Sequence, residues 1–350
     1  MKAKHIDKCI AKYLFPPKSE YAELIGGSSQ FFFSFSTRKE IWRMTESFPA
    51  YRRSAKFRKL LLRLLTLAPF LRKMEAHSSD RWVLQPFADL LDVNVARVVV
   101  LVGTLGPEHK TIVELWDERG HICGYIKLGL SERAQHSVKK EYSLLQKLPV
   151  GLAAKPIALQ DLDIGVGMLL EPVVGRKVDP YLPAEKEAVS YLDDLVLEEK
   201  YAFEDHPWIK SLLLRGTELD RDIVKPLSDR QWPVTIVHGD YAPWNIIIDT
   251  NYRVSTVDWE HGSLQGFPFY DLIYYILQVS FLMYRWTEED TVRYAKQYLS
   301  KLKGSHLNSD ECFALIRLSA YAMYKSALEE GQPESSPRLV WCKKIWQMKK

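Results

Sequence analysis

The stretch Val234–Asp258, VTIVHGDYAPWNIIIDTNYRVSTVD, carries the most structural information in this chain. Its first four residues are an apolar, β-branched run that is typical of a short buried strand. The polar residues from His238 to Asn245 are then predicted to form the loop that leaves the end of this strand. Two further strand-like runs, Ile246–Ile248 and Arg253–Val257, flank the turn-forming tetrapeptide DTNY, and this pattern predicts a β-hairpin.

The predicted hairpin brings two oxygen-bearing side chains together. Asn245 enters the hairpin and Asp258 leaves it. Antiparallel pairing places such ends side by side, roughly 5 Å apart between backbones. An amide oxygen and a carboxylate at that separation can share a hard cation that prefers oxygen ligands. With Asp240 as acceptor of a hydroxyl proton, the set supplies what phosphoryl transfer from a magnesium nucleotide requires.

This segment resembles the aminoglycoside phosphotransferase and choline kinase family, small-molecule kinases of the protein-kinase-like fold. The catalytic segment of that family reads His-Gly-Asp, four variable residues, Asn, and then a metal-binding Asp. All of these positions are filled here, by His238, Gly239, Asp240, Asn245 and Asp258. The step from Asp to Asn also matches the catalytic loop of protein kinases. The alternative, a polar turn with cap residues, explains each residue singly but not the joint spacing.

The resemblance implies an α+β, two-lobe fold with a small β-rich N-lobe and a helical C-lobe. We predict an N-terminal extension over residues 1–93, the N-lobe and hinge over 94–172, and the helical C-lobe over 173–350. Three β-rich runs in the predicted N-lobe indicate a meander; they are Arg97–Gly103, Lys110–Trp116 and His121–Lys127. Gly103–Pro107 lies where a nucleotide-covering turn would be, although a plain hairpin turn is equally consistent with these residues.

Two charged residues of the N-lobe are candidates for nucleotide binding. Lys127 closes the third predicted strand, and Glu141 lies on the predicted helix Ala134–Lys147. The resemblance implies that Lys127 holds the nucleotide phosphates and that Glu141 pairs with it. The alternative for each is an ordinary surface charge, because lysines at strand ends and glutamates on helices are common.

The hinge is predicted from the apolar strand Gly165–Pro172, which ends at a proline where the family joins its lobes. The resemblance implies that the adenine of ATP binds backbone groups here, around Leu170 and Pro172. A buried strand without a ligand would show the same side chains, so this alternative stays open.

Downstream of the hinge the periodicity becomes helical. The predicted helices are Ala184–Lys200, Trp208–Leu214, Tyr270–Tyr284, Thr287–Leu302, Ser309–Leu328 and Pro337–Met348. Asp271 opens one of them, where the resemblance implies a brace for the catalytic loop and a helix cap is the alternative. The residues between Glu260 and Tyr270 are too few for the activation segment of a protein kinase. A small acceptor is therefore favoured over a protein substrate.

The predicted reaction transfers the γ-phosphoryl group of ATP to a hydroxyl of a sugar, aminoglycoside, amino alcohol or related acceptor. Asp240 orients the acceptor and takes its proton, while Asn245 and Asp258 hold Mg²⁺. Lys127 neutralises phosphate oxygens, and His238 orients the loop. The alternative function is a non-catalytic nucleotide-binding or membrane-associated scaffold on the same fold.

Composition limits the setting of this activity. The four cysteines are scattered without a CxxC pair, which predicts neither a zinc site nor a disulfide framework. Met1–Glu20 lacks the apolar core of a signal peptide, and no apolar run reaches the ~18 residues of a membrane span. We therefore expect a cytoplasmic protein.

The N-terminal extension contains a local concentration of positive charge. Tyr51–Met74 holds eight basic residues and no acid, so removing its +8 from the formal +4 leaves −4 for the rest. Its predicted apolar face consists of Phe57, Leu60, Leu61, Leu64, Leu65 and Ala68. Such a helix either contacts an anionic membrane peripherally or packs its leucines on the protein core, and packing is favoured because most apolar faces are core faces. Nucleic acid is not an expected partner, since no recognisable module or aromatic interleaving is present.

Overall fold

The structure, a computed structural model, describes only part of the chain. The described residues are 8–26, 29–34, 37–45, 57, 59, 60, 63, 64, 73–77, 81–102, 109–214, 219–302 and 304–349. The chain divides into two compact units, Met1–Val173 and Val174–Lys350. Within the described ranges, no helix has both the length and the apolar character needed to cross a membrane.

The first unit is built on one antiparallel sheet. Its described strands are β1 (Glu20–Gly26), β2 (Ser29–Ser34), β3 (Lys73–Glu75), β4 (Val95–Val102), β5 (Lys110–Asp117), β6 (Ile122–Gly129), β7 (Pro156–Leu162) and β8 (Gly165–Leu170). They are ordered β3-β1-β2-β4-β5-β6-β8-β7. The predicted meander is therefore present as β4-β5-β6, with bounds that differ by two residues or fewer.

Sequence reasoning missed the first three strands, which it placed in an extension. β2 pairs with β4 from Gln30 opposite Val102 to Phe33 opposite Val99. The run Phe31–Phe33 is buried on both faces of the sheet: Phe32 lies in one core cluster with Val100, and its two neighbours lie in another with Val99. Three consecutive phenylalanines bounded by polar residues are the signal that would have predicted this strand.

The described helices of the first unit are α1 (Lys8–Leu14), α2 (Arg38–Met44), α3 (Gln85–Ala88) and α4 (Glu132–Leu145). α4 is the helix predicted over Ala134–Lys147, and Ser131 caps it by accepting a hydrogen bond from the backbone of Ala134. Its buried face carries Val138 and Leu145 together with one carboxylate, Glu141. A charged residue on the apolar face of a helix indicates a specific partner.

Two predicted features fall largely outside the described residues: the turn 103–107 and the basic segment 51–74. Within the latter, Phe57, Leu60 and Leu64 are described and are 62%, 48% and 51% exposed. These three side chains are thus not core residues, which runs against the packing alternative at these positions. For the segment as a whole, the choice between membrane contact and packing stays a prediction.

The second unit combines two small sheets with a helical core. One sheet has the order β10 (Val196–Ala202), β11 (Gln231–Val237), β14 (Ser263–Gly266), and the other β13 (Val254–Thr256), β12 (Ile246–Ile248), β9 (Arg176–Lys177). The described helices are α5 (Lys186–Ser190), α6 (Pro207–Leu214), α7 (Arg221–Leu227), α8 (Tyr270–Val279), α9 (Glu288–Lys301), α10 (Ser309–Glu329) and α11 (Pro337–Trp346). A β-rich N-terminal part and a helical C-terminal part confirm the predicted α+β class.

The helix predicted over Ala184–Lys200 is wrong in its second half. α5 ends at Ser190, and after a short turn the chain continues as β10, which pairs with β11 from Val196 opposite Thr235 to Ala202 opposite Gln231. Most side chains of β10 are exposed, and its sequence, VLEEKYA, does not alternate between apolar and polar residues. Pairing with the buried strand β11 overrides the local preference.

Candidate active site

The β12-β13 hairpin places Asn245 and Asp258 at one end, as predicted. Ile246 lies opposite Thr256, and the backbone N–H of Val257 donates to the Asn245 carbonyl over 3.0 Å. Asp258 itself has a φ of 71°, in the left-handed region. Aspartate and asparagine tolerate this conformation better than most other residues with a side chain.

Asp240 and Asn245 are in direct contact. The Asn245 Nδ2 donates to both the backbone oxygen and Oδ2 of Asp240, over 3.0 Å in each case. The amide nitrogen therefore faces Asp240. The Oδ1 of Asn245 accepts no hydrogen bond from a residue in the described part of the chain, so this amide oxygen is the one available to a cation.

The Asp271 carboxylate binds the backbone at the start of the loop His238–Asn245. It accepts hydrogen bonds from the backbone N–H groups of His238, over 2.6 Å, and Gly239, over 3.0 Å. Burial raises the pKa of Asp271 to about 7, although these two donors act in the opposite direction. The predicted bracing contact is thus present, on the first turn of α8.

His238 and Gly239 fix the shape of the loop. The His238 Nδ1 accepts from the backbone of Asp240 over 3.3 Å, which leaves Nε2 to donate to the Val257 carbonyl over 2.9 Å. Gly239 has a φ of 79°, and an added Cβ would lie 2.3 Å from the His261 carbonyl oxygen. Only glycine therefore fits here, which explains the middle residue of the motif.

A tyrosine that sequence reasoning missed completes the surroundings of Asp240. The Tyr274 hydroxyl donates to Asp240 Oδ1 over 2.7 Å. It accepts from Gln278 Nε2 over 2.7 Å and from Arg338 Nη2 over 3.1 Å. Asp271, Tyr274 and Gln278 are spaced to share one face of α8, whose residues are all buried. The polar side chains along one face of an otherwise apolar helix are the sequence pattern that could have identified Tyr274.

These surroundings raise the pKa of Asp240. Burial is the largest cause, and the nearby charge of Asp258 acts in the same direction. The hydrogen bond from Tyr274 and the charges of His261 and Arg338 lower this pKa but do not offset burial. A carboxylate with a raised pKa is a better proton acceptor than one on the surface.

In the first unit, Lys127 and Glu141 form the predicted pair. The Lys127 Nζ lies 2.9 Å from Glu141 Oε1 and 2.7 Å from Oε2. Both residues are buried, with 5% and 1% exposure. The alternative of two ordinary surface charges is therefore wrong for this pair.

The predicted hinge residues lie at the end of β8. Leu170 is the last residue of the strand and lies opposite Tyr125 in β6. The following residue, Glu171, donates its backbone N–H to the Lys155 carbonyl over 2.9 Å. Leu170 and Pro172 thus lie at the end of β8 and just beyond it, while adenine binding there stays a prediction.

The Lys127–Glu141 pair yields a stability prediction. Replacing Glu141 with glutamine removes the buried counter-charge of Lys127, which is expected to cost roughly 3–5 kcal/mol of unfolding free energy. The matched control is Lys139→Gln on the same helix, whose partner Asp161 is 81% exposed; its cost is expected to stay below about 1 kcal/mol. Denaturant unfolding measures both variants, and equal losses would contradict the prediction.

The Asp240 carboxylate is bound by the asparagine five residues later and lies beside a hairpin that ends in a second carboxylate, as expected from the resemblance to kinase-like phosphotransferases. The model of the phosphotransferase enzyme family matches residues 136–309, which include the catalytic motif and Glu141. This match confirms the family resemblance and the classification of the chain as a small-molecule kinase. Lys127 and Arg338 lie outside the matched segment. No curated protein matches the chain.

Several solved structures are similar to this chain at low identity. A choline kinase from Streptococcus pneumoniae is 14% identical over 76% of this chain and 95% of that chain, with a TM-score of 0.41. An ethanolamine kinase from Plasmodium vivax is 13% identical over 71% and 81%, with a TM-score of 0.42. A macrolide 2'-phosphotransferase from Brachybacterium faecium is 12% identical over 76% and 98%, with a TM-score of 0.45.

Proposed function

We propose that this protein transfers the γ-phosphoryl group of ATP to a hydroxyl of a small molecule, with Asp240 as the acceptor-orienting base. The observation that carries the proposal is that both carboxylate oxygens of Asp240 are held by neighbours. Tyr274 donates to Oδ1 over 2.7 Å, and Asn245 donates to Oδ2 over 3.0 Å. A carboxylate fixed in this way holds an incoming hydroxyl in one orientation, which favours transfer.

The chemistry required of Asp240 is modest. In phosphoryl transfer the attacking hydroxyl loses its proton late, so the base mainly orients the oxygen and then accepts the proton. The raised pKa of Asp240 makes the carboxylate a better acceptor for that proton. His238 and Asp271 act through the backbone of the loop and are positioning residues.

Asn245 and Asp258 are proposed to hold a magnesium ion. The donor set fits this ion, since Asn245 presents an amide oxygen and Asp258 a carboxylate at the same end of the hairpin. When bound, such an ion neutralises charge on the transferred phosphoryl group.

Lys127 is proposed to bind nucleotide phosphates. Glu141 accepts from its ammonium group through both carboxylate oxygens and so fixes its direction. Backbone groups around Leu170 and Pro172 are proposed to bind the adenine.

The proposal is tested by ADP release from ATP and Mg²⁺ in the presence of sugars, aminoglycosides and amino alcohols, each tried singly. We expect at least one acceptor to raise the rate above that of an Asp240→Asn control. Nucleotide binding without acceptor-dependent ADP release would instead support the non-catalytic scaffold.

The hydrogen bond from Tyr274 yields a pH prediction. Because this bond lowers the pKa of Asp240, Tyr274→Phe is expected to raise that pKa further. The acidic limb of the kcat/KM profile then moves to higher pH, so wild type keeps its activity at lower pH than the variant. The matched control is Tyr275→Phe, since the Tyr275 hydroxyl donates to carbonyl oxygens at Asp179 and Tyr181. A limb that does not move in Tyr274→Phe would remove the tyrosine from this role.

A further inference from the structure

Arg338 is a cation beside the candidate active site, and most of its N–H donors have no partner among the described residues. Its side chain is partly buried, its Nη2 donates to the Tyr274 hydroxyl over 3.1 Å, and its guanidinium carbon lies 5.9 Å from the Tyr274 ring centroid. Across the described ranges, no carboxylate lies within ion-pair distance of Arg338. A guanidinium carries five N–H donors, so a single hydroxyl leaves most of its capacity unused.

The position of Arg338 also runs against local helix energetics. It lies in the first turn of α11, where the partial positive charge of the helix disfavours a cation. By contrast, Lys343 and Lys344 lie in the last turn, where a cation is favourable. A charge placed against a local rule, with no carboxylate at ion-pair distance among the described residues, is typical of functional sites.

A second polar group at the start of α11 has no partner. Ser336 is the N-cap residue, but its side chain makes no capping hydrogen bond. Its Oγ is buried and has no hydrogen-bond partner in the part of the chain that the structure describes. A buried hydroxyl without a partner is costly, and a ligand would relieve that cost.

The distance between Arg338 and Asp240 limits the size of a molecule that contacts both. The Tyr274 oxygen lies 2.7 Å from Asp240 Oδ1 and 3.1 Å from Arg338 Nη2, so these two atoms are no more than about 6 Å apart. A small sugar or polyol spans this distance between one hydroxyl and a neighbouring substituent.

A second basic side chain near Asp240 has different neighbours. His261 affects the pKa of Asp240, but its ring nitrogens lie 3.3 Å from a carboxylate oxygen of Glu260 and 3.7 Å from one of Glu330. His261 thus contacts two carboxylates directly, whereas Arg338 faces the carboxylate of Asp240 through the Tyr274 hydroxyl.

We infer that Arg338, with Ser336, binds an anionic group of the acceptor, a phosphate or a carboxylate, while Asp240 orients a hydroxyl of the same molecule. This inference rests on the proposed function and specifies its substrate class: a small hydroxyl compound that carries a negative charge. Guanidinium pairs strongly with both anionic groups through charge-assisted hydrogen bonds. Amino alcohols and aminoglycosides, which carry cations, are disfavoured beside the positive charge of Arg338.

The test compares matched acceptors that differ in charge. Glucose, glucosamine, glucuronate and glucose 6-phosphate form one series, and glycerol, ethanolamine and glycerol 3-phosphate form another. Binding is measured by calorimetry with saturating ADP and Mg²⁺, so that the nucleotide site is occupied, and turnover is measured as kcat/KM with ATP. In each series we expect the anionic members to exceed the neutral one by about 10- to 100-fold. Glucuronate and the phosphates separate the two kinds of anion.

The variants are Arg338→Gln, Arg338→Lys and the control Lys343→Gln, which alters an exposed cation on the same helix. In Arg338→Gln the ratio of anionic to neutral acceptor is expected to fall by about 10- to 100-fold, and Arg338→Lys is expected to keep part of it. Lys343→Gln should leave the ratio unchanged. If Arg338 only supports Tyr274, both acceptor types weaken together and the ratio stays constant, which overturns the inference.

Measurements of binding and of turnover together distinguish the anion site from the proposed kinase function. Anion-selective binding that depends on Arg338, without turnover, would support the anion site and reject the proposed kinase function. Turnover with a preference for neutral or cationic acceptors would support the kinase function and reject the anion site. The absence of both would reject both.

Discussion

Replacing Asp240 with asparagine is expected to reduce turnover by about 10²- to 10⁴-fold, the usual contribution of a general base. The variant keeps the shape of the side chain and one oxygen that accepts from Tyr274 or Asn245. It loses the charge that orients the acceptor hydroxyl and the group that takes its proton. Folding and nucleotide affinity are expected to change little.

Steady-state ADP release, melting temperature and nucleotide titration on the same preparation check this result. The matched control is Asp222→Asn, an exposed carboxylate on α7, for which wild-type turnover is expected. Full activity in Asp240→Asn would remove Asp240 from its proposed role, whatever the behaviour of the control.

Replacing Asp258 with asparagine is expected to weaken both magnesium-dependent nucleotide binding and turnover, the latter by about 10²-fold or more, because a metal ligand supplies several kcal/mol. Asparagine is preferable to alanine here because Asp258 has a φ of 71°. Asparagine tolerates the left-handed conformation, so the change removes a charge without adding backbone strain.

Calorimetric titration with ATP, with and without Mg²⁺, is the decisive measurement for Asp258→Asn. The gain in affinity that Mg²⁺ gives the wild type should largely disappear, while affinity without the ion should stay similar. If the variant keeps the full magnesium effect, the hairpin does not form the metal site.

The catalytic hairpin was predictable because its geometry is local. Asn245 and Asp258 are joined by two short strands and a tight turn, and the length of that turn fixes which residues face each other. The Lys127–Glu141 pair was predictable for a different reason. A strand followed closely by a helix leaves few ways for the two side chains to meet once the family order is known.

The contacts that sequence reasoning missed are distant along the chain. Arg338 meets Tyr274 across 64 residues, and β2 meets β4 across the segment 35–94. Local propensity contains no information on such partners, and pairing across the sheet also turned the second half of a predicted helix into β10. Asp271 was found because the family resemblance, rather than its own sequence surroundings, pointed to it.

Helix α8 orders the loop His238–Asn245 during folding, before a substrate binds. It contributes Asp271, which accepts from two backbone N–H groups of the loop, and Tyr274, which donates to Asp240, the proposed base. Every residue of this helix is buried, so its position is set when the core forms. The entropy lost in arranging the loop is therefore lost once, during folding, and is not lost again at each encounter with a substrate. The binding free energy of the acceptor is then available to discriminate between acceptors, because it is not needed to order the loop.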